Sequence, residues 1–394
     1  MKRKAIFVIL LILAIFAASA QSTLQFSGVT PKDARSMGMG GTFRVFSQGY
    51  SSFFGNPAGF AGANSSLTLT DISTWAYLAP TSENVDRVQK IVSGTASDSD
   101  ILSWAGDWIV KNNGFGAGLS IGGGWVGKKG IAIGVVAASD EIAAGNSLLG
   151  AKLVSATELN GIIGYAYPFK LGPVTLKVGA DGRAFYRVQS SPITGWPFSE
   201  ILNDVLAEDV DLSSIASSLN FYGGYGFAAD AGLVLGLGPV MLGFSVRDLG
   251  LEFKVGSFTG QDLIDKNVSA LPIAGTTTAA LTPAYAAGLG IRLFENQKFE
   301  PSIYAELEDP QELFSSSDIV ASALGSLHAG AQVRVLRFLT IRGGLNKGWY
   351  SIGAGLDLSF LEIDAAVFTE ETSIYPGDKG RSGFSMQVGI RFGR

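Results

Sequence analysis

The sequence contains no cysteine and a single histidine, His328, among 394 residues. The first absence excludes disulfides, thiol nucleophiles and cysteine-ligated zinc or iron–sulfur sites. The second excludes a multi-histidine metal site within one chain, and any Ser-His-Asp triad has to use His328. Charge is also scarce: Asp, Glu, Lys and Arg make up 16% of the chain, against roughly 25% in an ordinary soluble domain. A last absence decides the class. After residue 20 no stretch approaches the roughly 18 consecutive apolar residues that a spanning helix needs. Yet the chain is 47% hydrophobic with a mean hydropathy of +0.29. An apolar chain that cannot cross a bilayer as helices has one other solution, the closed β-barrel, because unpaired backbone groups are too costly in hydrocarbon.

Residues 1–20 read as a secretory leader. Lys2, Arg3 and Lys4 form a basic start, Ala5 to Phe16 an apolar run, and Ala18-Ser19-Ala20 a cleavage site. No cysteine follows, which argues against a lipid anchor. Removing the leader takes the formal charge from −5 to −8. An acidic exported chain is a poor nucleic-acid binder.

What is present is alternation. Phe384, Met386, Val388, Ile390 and Phe392 interleave with Ser385, Gln387, Gly389, Arg391 and Gly393. Segments of this kind, apolar on one face and small or polar on the other, are the signature of barrel strands. Fourteen are predicted: 66–79, 113–126, 129–139, 152–168, 173–189, 222–237, 239–250, 283–295, 299–309, 327–337, 339–346, 349–360, 361–371 and 382–392. Their connections are mostly short at one end and long at the other, as in outer-membrane barrels. Helical periodicity is predicted in two of the long connections, over 199–217 and 311–325. The expected fold is therefore all-β: a 14-stranded antiparallel transmembrane β-barrel over 66–394, with short helices in outer loops.

Residues 21–65 carry too many apolar side chains for a solvated tail, Phe26, Phe46, Phe53 and Phe54 among them. They are expected to form a plug inside the lumen. Glycines Gly38, Gly40 and Gly41 permit close backbone approach to the wall. Pro57 fixes φ after Asn56, whose side chain can hydrogen-bond local backbone, and Ala58 follows. This corner is expected to hand the chain from plug to wall. In the second strand, Gly122-Gly123-Gly124 is a candidate kink.

The segment DARSMGMGGTFRVFSQGYSSFFGNPAGFA, residues 33–61, resembles the FadL family of outer-membrane transporters for long-chain fatty acids and other hydrophobic compounds, and the related PorV-type barrels. The shared features are the turn Gly38-Met39-Gly40-Gly41-Thr42-Phe43 and the string Asn56-Pro57-Ala58-Gly59 before the first strand. Residues 342–371 are similar to PorV-type and spirochaete-type members. The resemblance implies a 14-stranded barrel with an N-terminal hatch in the outer membrane. It also implies passive uptake of hydrophobic molecules without a cofactor. An alternative it implies is a PorV-like shuttle or scaffold whose outer loops hold a secreted protein; a structural or adhesive barrel is a third reading. The expected partners are outer-membrane lipid and an apolar small molecule.

Strand parity places many charges in the lumen, among them Arg183, Arg247, Arg292, Arg334 and Arg342. They are read either as a selectivity lining that receives a carboxylate or as a mutually paired interior that anchors the plug; the second is favoured. Both signs are mixed, unlike an ion-selective ring. The i, i+2 pairs Glu306/Glu308 and Glu362/Asp364 lie on one strand face and are read as structural rather than as a glycosidase pair. No catalytic residue and no metal ligand is assigned. Trp104 and Trp108, in the first long loop, are expected in a helical cap or a ligand entry groove. Trp75, Tyr77, Tyr165, Tyr167, Tyr285, Trp349 and Tyr350 are expected in interfacial girdles.

Overall fold

The structure is a computed structural model. It describes residues 23–42, 44–62, 64–190, 196–198, 220–260, 262, 275–294, 298–314, 318–336, 338–373 and 375–393. The leader, Phe43 and the predicted helix over 199–217 lie outside the described residues.

Strands follow wherever the alternation was strongest. In chain order they are β1 (Leu24–Phe26), β2 (Ser66–Ala76), β3 (Phe115–Val126), β4 (Ile131–Ala144), β5 (Lys152–Leu171), β6 (Val174–Ser190), β7 (Trp196–Pro197), β8 (Asn220–Leu237) and β9 (Val240–Gly250). They continue with β10 (Phe253–Thr259), β11 (Thr277–Leu281), β12 (Ala284–Arg292), β13 (Phe299–Glu308) and β14 (Leu327–Val335). The last four are β15 (Leu339–Asn346), β16 (Trp349–Leu358), β17 (Leu361–Glu371) and β18 (Gly380–Phe392).

Fourteen of these close on themselves. Antiparallel ladders join β2 through β6 in sequence, then β6 to β8, β8 to β9, β9 to β12, and β12 through β18 in sequence. The ring shuts where β18 pairs with β2, Phe384 opposite Ala76 and Phe392 opposite Leu67. A closed ring leaves no unpaired edge for hydrocarbon to solvate. The fourteen segments predicted from alternation are these fourteen wall strands, displaced by five residues at most.

The side chains are inverted relative to a soluble protein. Ile163 is 67% exposed and Ile303 59% on the outside of the wall, whereas Glu158, Arg183 and Asp230 are almost wholly buried inside it. Outward apolar positions recur around the ring at Ile133, Leu159, Phe227, Ile341 and Ile352. This is a lipid-facing exterior around a polar interior. No described helix is long and apolar enough to cross a membrane.

The first long connection folds as two helices, α2 (Ser82–Val92) and α3 (Asp98–Lys111); α1 is the short Ala34–Gly38. Both have side-chain N-caps, Thr81 accepting from the Asn84 amide and Ser97 from Asp100 in a full capping box. The predicted helical stretch over 311–325 is a 3₁₀ turn at Pro310–Phe314 and helix α4, Ile319–Ser326.

Strands β10 and β11 fall inside a connection expected to be loop. They extend the wall at its long-loop end, β10 beside β8 with Gly256 opposite Gly223, and β11 beside β10. The N-terminal β1 pairs in parallel with the other edge of β11, Leu24 opposite Ala279. The triple glycine does not break the wall: pairing of β3 with β4 runs unbroken through Gly122–Gly124, and the irregularity is a bulge in β2 opposite, between Thr68 and Asp71.

Candidate functional site

The N-terminal segment packs against inward positions of the wall through most of its length. Its aromatic residues Tyr50, Phe53, Phe54 and Phe60 form one buried cluster with Val126, Ala132, Val136, Ile162 and Ala166 of β3, β4 and β5. The rings of Phe53 and Phe60 lie 5.0 Å apart. Wall glycines make room for them. A Cβ on Gly124 or Gly134 would sit within 3 Å of the Phe53 ring, and one on Gly164 would sit 2.5 Å from Phe60. The triple glycine therefore admits aromatic rings.

Asn56 is the hub of this packing. It is fully buried and caps the 3₁₀ turn Pro57–Phe60 by accepting from the Ala58 amide at 2.9 Å. Its Nδ2 donates to Val45 O at 2.8 Å within the segment, and faces Phe244 O at 3.2 Å and Leu233 O at 3.4 Å on the wall. Its own amide donates to Ser47 Oγ at 2.7 Å. One side chain thus ties two parts of the segment to β8 and β9. Pro57 lies over Gly179 of β6.

The glycine turn docks elsewhere, on β13 to β16. Gly40 has φ +73°, and a Cβ there would meet Leu345 O at 2.4 Å. A Cβ on Gly41 would approach His328 Nδ1 to 2.8 Å, and one on Gly38 would approach Gly353 Cα to 3.0 Å. His328 Nδ1 donates to Gly40 O at 2.7 Å. Glu306 accepts from the Arg44 amide at 3.1 Å, and Glu308 from the Arg44 guanidinium at 2.7 Å. Glu308 also pairs with Lys347 at 2.9 Å and lies 3.2 Å from His328 Nε2. The paired acids of β13 thus hold the segment, as the structural reading of their spacing had it.

The five arginines expected in the lumen are all engaged. Arg183 faces Glu158, Asp230 and Asp248, the second at 3.1 Å and the third closer. A bulge in β9, where Arg247 and Asp248 oppose the single residue Asp230 of β8, and the positive φ of Asp248 bring these acids together. Arg247 pairs with Asp230 and donates to Phe54 O at 2.7 Å. Arg342 pairs with Asp364, and Arg334 with Glu300 at 3.3 Å. Arg292 differs. Among the described residues its partners are neutral: the Tyr304 hydroxyl at 3.0 Å, and the Gln48 amide oxygen at 2.7 Å once that amide is turned to suit its neighbours. Arg187, not singled out beforehand, pairs with Glu158 and donates to Ser27 O at 2.7 Å. Its place on the inward face of β6, four residues after Arg183, was the available signal.

Two expected girdle residues lie inside instead. Trp75 and Tyr77 are buried and both donate to Asp140, at 2.7 and 2.9 Å. The reason is parity: Trp75 shares its face with Asp71 and Ser73. The Tyr77 ring also receives two cations, Lys32 Nζ at 5.1 Å and Arg381 Cζ at 4.6 Å from its centre, and both cations pair with Glu370. Trp104 and Trp108 do not share one exposed face. Trp108 is buried against Phe115 and donates to Asn84 Oδ1 at 2.9 Å, while Trp104 is half-buried beneath Arg87.

Space remains on both sides of the segment. A cavity of about 570 Å³ lies towards the long loops, bordered by Val29, Ile142, Val154, Tyr285, and by Arg187 and Glu308, each paired with another residue. Another of about 220 Å³ lies towards the short turns, beneath Arg35, Tyr50 and Arg342. Burial, and then the neighbouring Arg342, bring Arg35 down to about 10, so it stays charged at neutral pH. Burial pushes the Tyr50 phenol up, so it stays neutral. Among the described residues no cluster of three metal-capable side chains occurs.

No protein-family profile matches the sequence, and no curated protein matches it. Solved structures do. The toluene transporter TbuX of Ralstonia pickettii is similar over 92% of this chain and 98% of its own, with 14% identity and a TM-score of 0.48. A FadL homologue of Pseudomonas aeruginosa is similar over 93% and 99%, with 13% identity and a TM-score of 0.45. The toluene transporter TodX of Pseudomonas putida is similar over 94% and 99%, with 10% identity and a TM-score of 0.46. The barrel itself is established by the closed ring of ladders described above.

Proposed function

We propose that this chain is an outer-membrane channel for passive uptake of hydrophobic molecules, with residues 21–65 as its plug. The observation that carries the reading is the lumen divided in two: an outer cavity with apolar as well as paired ionic walls, a second cavity beyond, and the N-terminal segment between them. The resemblance of residues 33–61 to the FadL plug supports it. So does the charge pattern. The four arginines Arg183, Arg247, Arg334 and Arg342 are each neutralised by an acid, so the lumen presents no single-sign ring to select ions.

In this mechanism an apolar solute enters from the long-loop end and occupies the outer cavity. A rearrangement of the segment near Asn56 and Gly40 then opens the way to the short-turn end. Long-chain fatty acids are the cargo that the resemblance suggests; a small hydrocarbon fits the same chemistry. The test is accumulation of radiolabelled oleate or toluene by cells lacking their own uptake barrels. Expression of this chain is expected to raise accumulation at least fivefold over empty-vector cells. No increase, with a secreted protein co-purifying, points to the shuttle instead.

A further inference from the structure

Helix α4 reads IVASALGS and holds no charged residue. Its start is capped in the usual way, Asp318 Oδ1 accepting from the Ala321 amide at 3.0 Å. Its faces are inverted. Ile319 is 63% exposed, Val320 69% and Leu324 48%, whereas Ala321, Ser322 and Gly325 are less exposed. At about 3.6 residues per turn the three large apolar side chains fall on one side of the helix, and the small ones on the other. Helix α2, by contrast, carries Glu83, Asp86 and Lys90 among its exposed residues. The place of α4 on the wall accounts for the inversion. Its C-cap, Leu327, is the first residue of β14. Leu327 stands opposite Leu307 of β13, the pair nearest the long-loop end of that ladder, and both share the outward parity of Ile303 and Ala331. Only Gly325 and Ser326 separate Leu327 from Leu324, so the lipid-facing band runs from the wall onto the helix. The wall is also low here. Strands β13, β14 and β15 have 10, 9 and 8 residues, against 20, 17 and 18 in β5, β6 and β8. A tilted strand needs about 9–11 residues to span the hydrocarbon core.

We propose that α4 is a membrane contact rather than a solvated loop helix. It lies in the interface of the leaflet at the long-loop end, with Ile319, Val320 and Leu324 among the acyl chains beneath the head groups. There it completes the apolar band on the low side of the barrel. Interfacial helices bury an apolar face about 5–10 Å into this boundary. Lipid is the occupant because the helix face is continuous with a surface that lipid already covers. The assignment rests on the lipid-facing exterior of the barrel and not on the uptake reading.

Because the chain has no cysteine, single cysteines in the full mature chain can each carry a fluorophore. Val320→Cys and Leu324→Cys report on α4, Ile303→Cys on the wall, and Gln89→Cys on the charged helix α2. Heat-dependent gel mobility checks that each labelled barrel is folded. The proteins are placed in phosphatidylcholine vesicles that contain lipid spin-labelled high on the acyl chain, or in plain vesicles to which iodide is added. The spin-labelled lipid is expected to quench both α4 sites at least half as strongly as Ile303 and at least threefold more strongly than Gln89, with iodide in the reverse order. Quenching of the α4 sites by iodide to the extent seen at Gln89 places the helix in water and overturns the assignment. Sites reached by neither quencher are covered by protein, which also overturns it; energy transfer between labelled copies that rises with the protein-to-lipid ratio then identifies a second copy as the cover. An Ile303 label that the lipid does not quench removes the lipid-facing wall itself, so failure of the barrel reading and failure of this contact are distinct results.

Discussion

The ring of His328, the chain's single histidine, donates from Nδ1 to the carbonyl of Gly40 at 2.7 Å, across 288 positions of sequence. That bond fixes the glycine turn of the N-terminal segment to the wall beside Glu306 and Glu308. His328→Ala removes it and leaves the Gly40 carbonyl without this partner. The expected result is at least tenfold faster tryptic cleavage at Arg35 or Arg44, with barrel mobility on gels unchanged. Unaltered protection shows that the turn is held without the histidine.

Gly40 and Gly377 separate clash from backbone strain. Both have positive φ, +73° and +76°, but a Cβ at Gly377 meets nothing within 4 Å, whereas one at Gly40 meets the Leu345 backbone. Gly377→Ala is expected to cost only the left-handed backbone penalty, about 1–2 kcal/mol. Gly40→Ala is expected to cost more and to release the segment. Denaturant unfolding and proteolysis, run on both variants, check the contrast.

Asn56→Asp keeps the size and the acceptor that caps Ala58, but loses the donor to three carbonyls. Each buried group left unpaired costs about 1–3 kcal/mol. The variant is expected to unfold at lower denaturant and to raise the leak conductance of planar bilayers. An unchanged midpoint and unchanged conductance contradict the role assigned to Asn56.

Arg183→Met leaves Glu158, Asp230 and Asp248 facing one another inside the barrel. Removing one partner of a buried charge cluster typically costs about 3–5 kcal/mol. Arg334→Met acts on a half-exposed pair, worth about 0–1 kcal/mol. Unfolding of both in liposomes is expected to show that difference.

The wall was readable because each strand is a local pattern. Ile163 outward and Ile162 inward follow from counting by two, and so does the burial of Arg183. Parity also held the answer for Trp75 and Tyr77, which their place near a strand end obscured. What the pattern could not show is non-local. Strand β1 is three residues long and acquires its partner, β11, more than 250 positions away. Strands β10 and β11 are short and extend the rim rather than complete the ring. That Asn56 reaches Phe244 O, or that Gly40 docks on His328, depends on how the segment lies in the lumen. No spacing encodes that.

The absence of cysteine permits a direct test of the proposed plug. A Cβ on Gly38 would lie 3.4 Å from the Cβ of Ala366, close to the spacing of a disulfide. The paired variant Gly38→Cys with Ala366→Cys therefore ties the segment to β17 when oxidised. Uptake of radiolabelled oleate and toluene is measured in cells carrying this variant, before and after reduction. The account predicts uptake at the empty-vector level when oxidised and a severalfold rise in the same cells once reduced, read against Gly38→Cys alone because a Cβ there also crowds the Gly353 backbone. Equal rates in the two states, both matching the unmodified chain, contradict a gating plug.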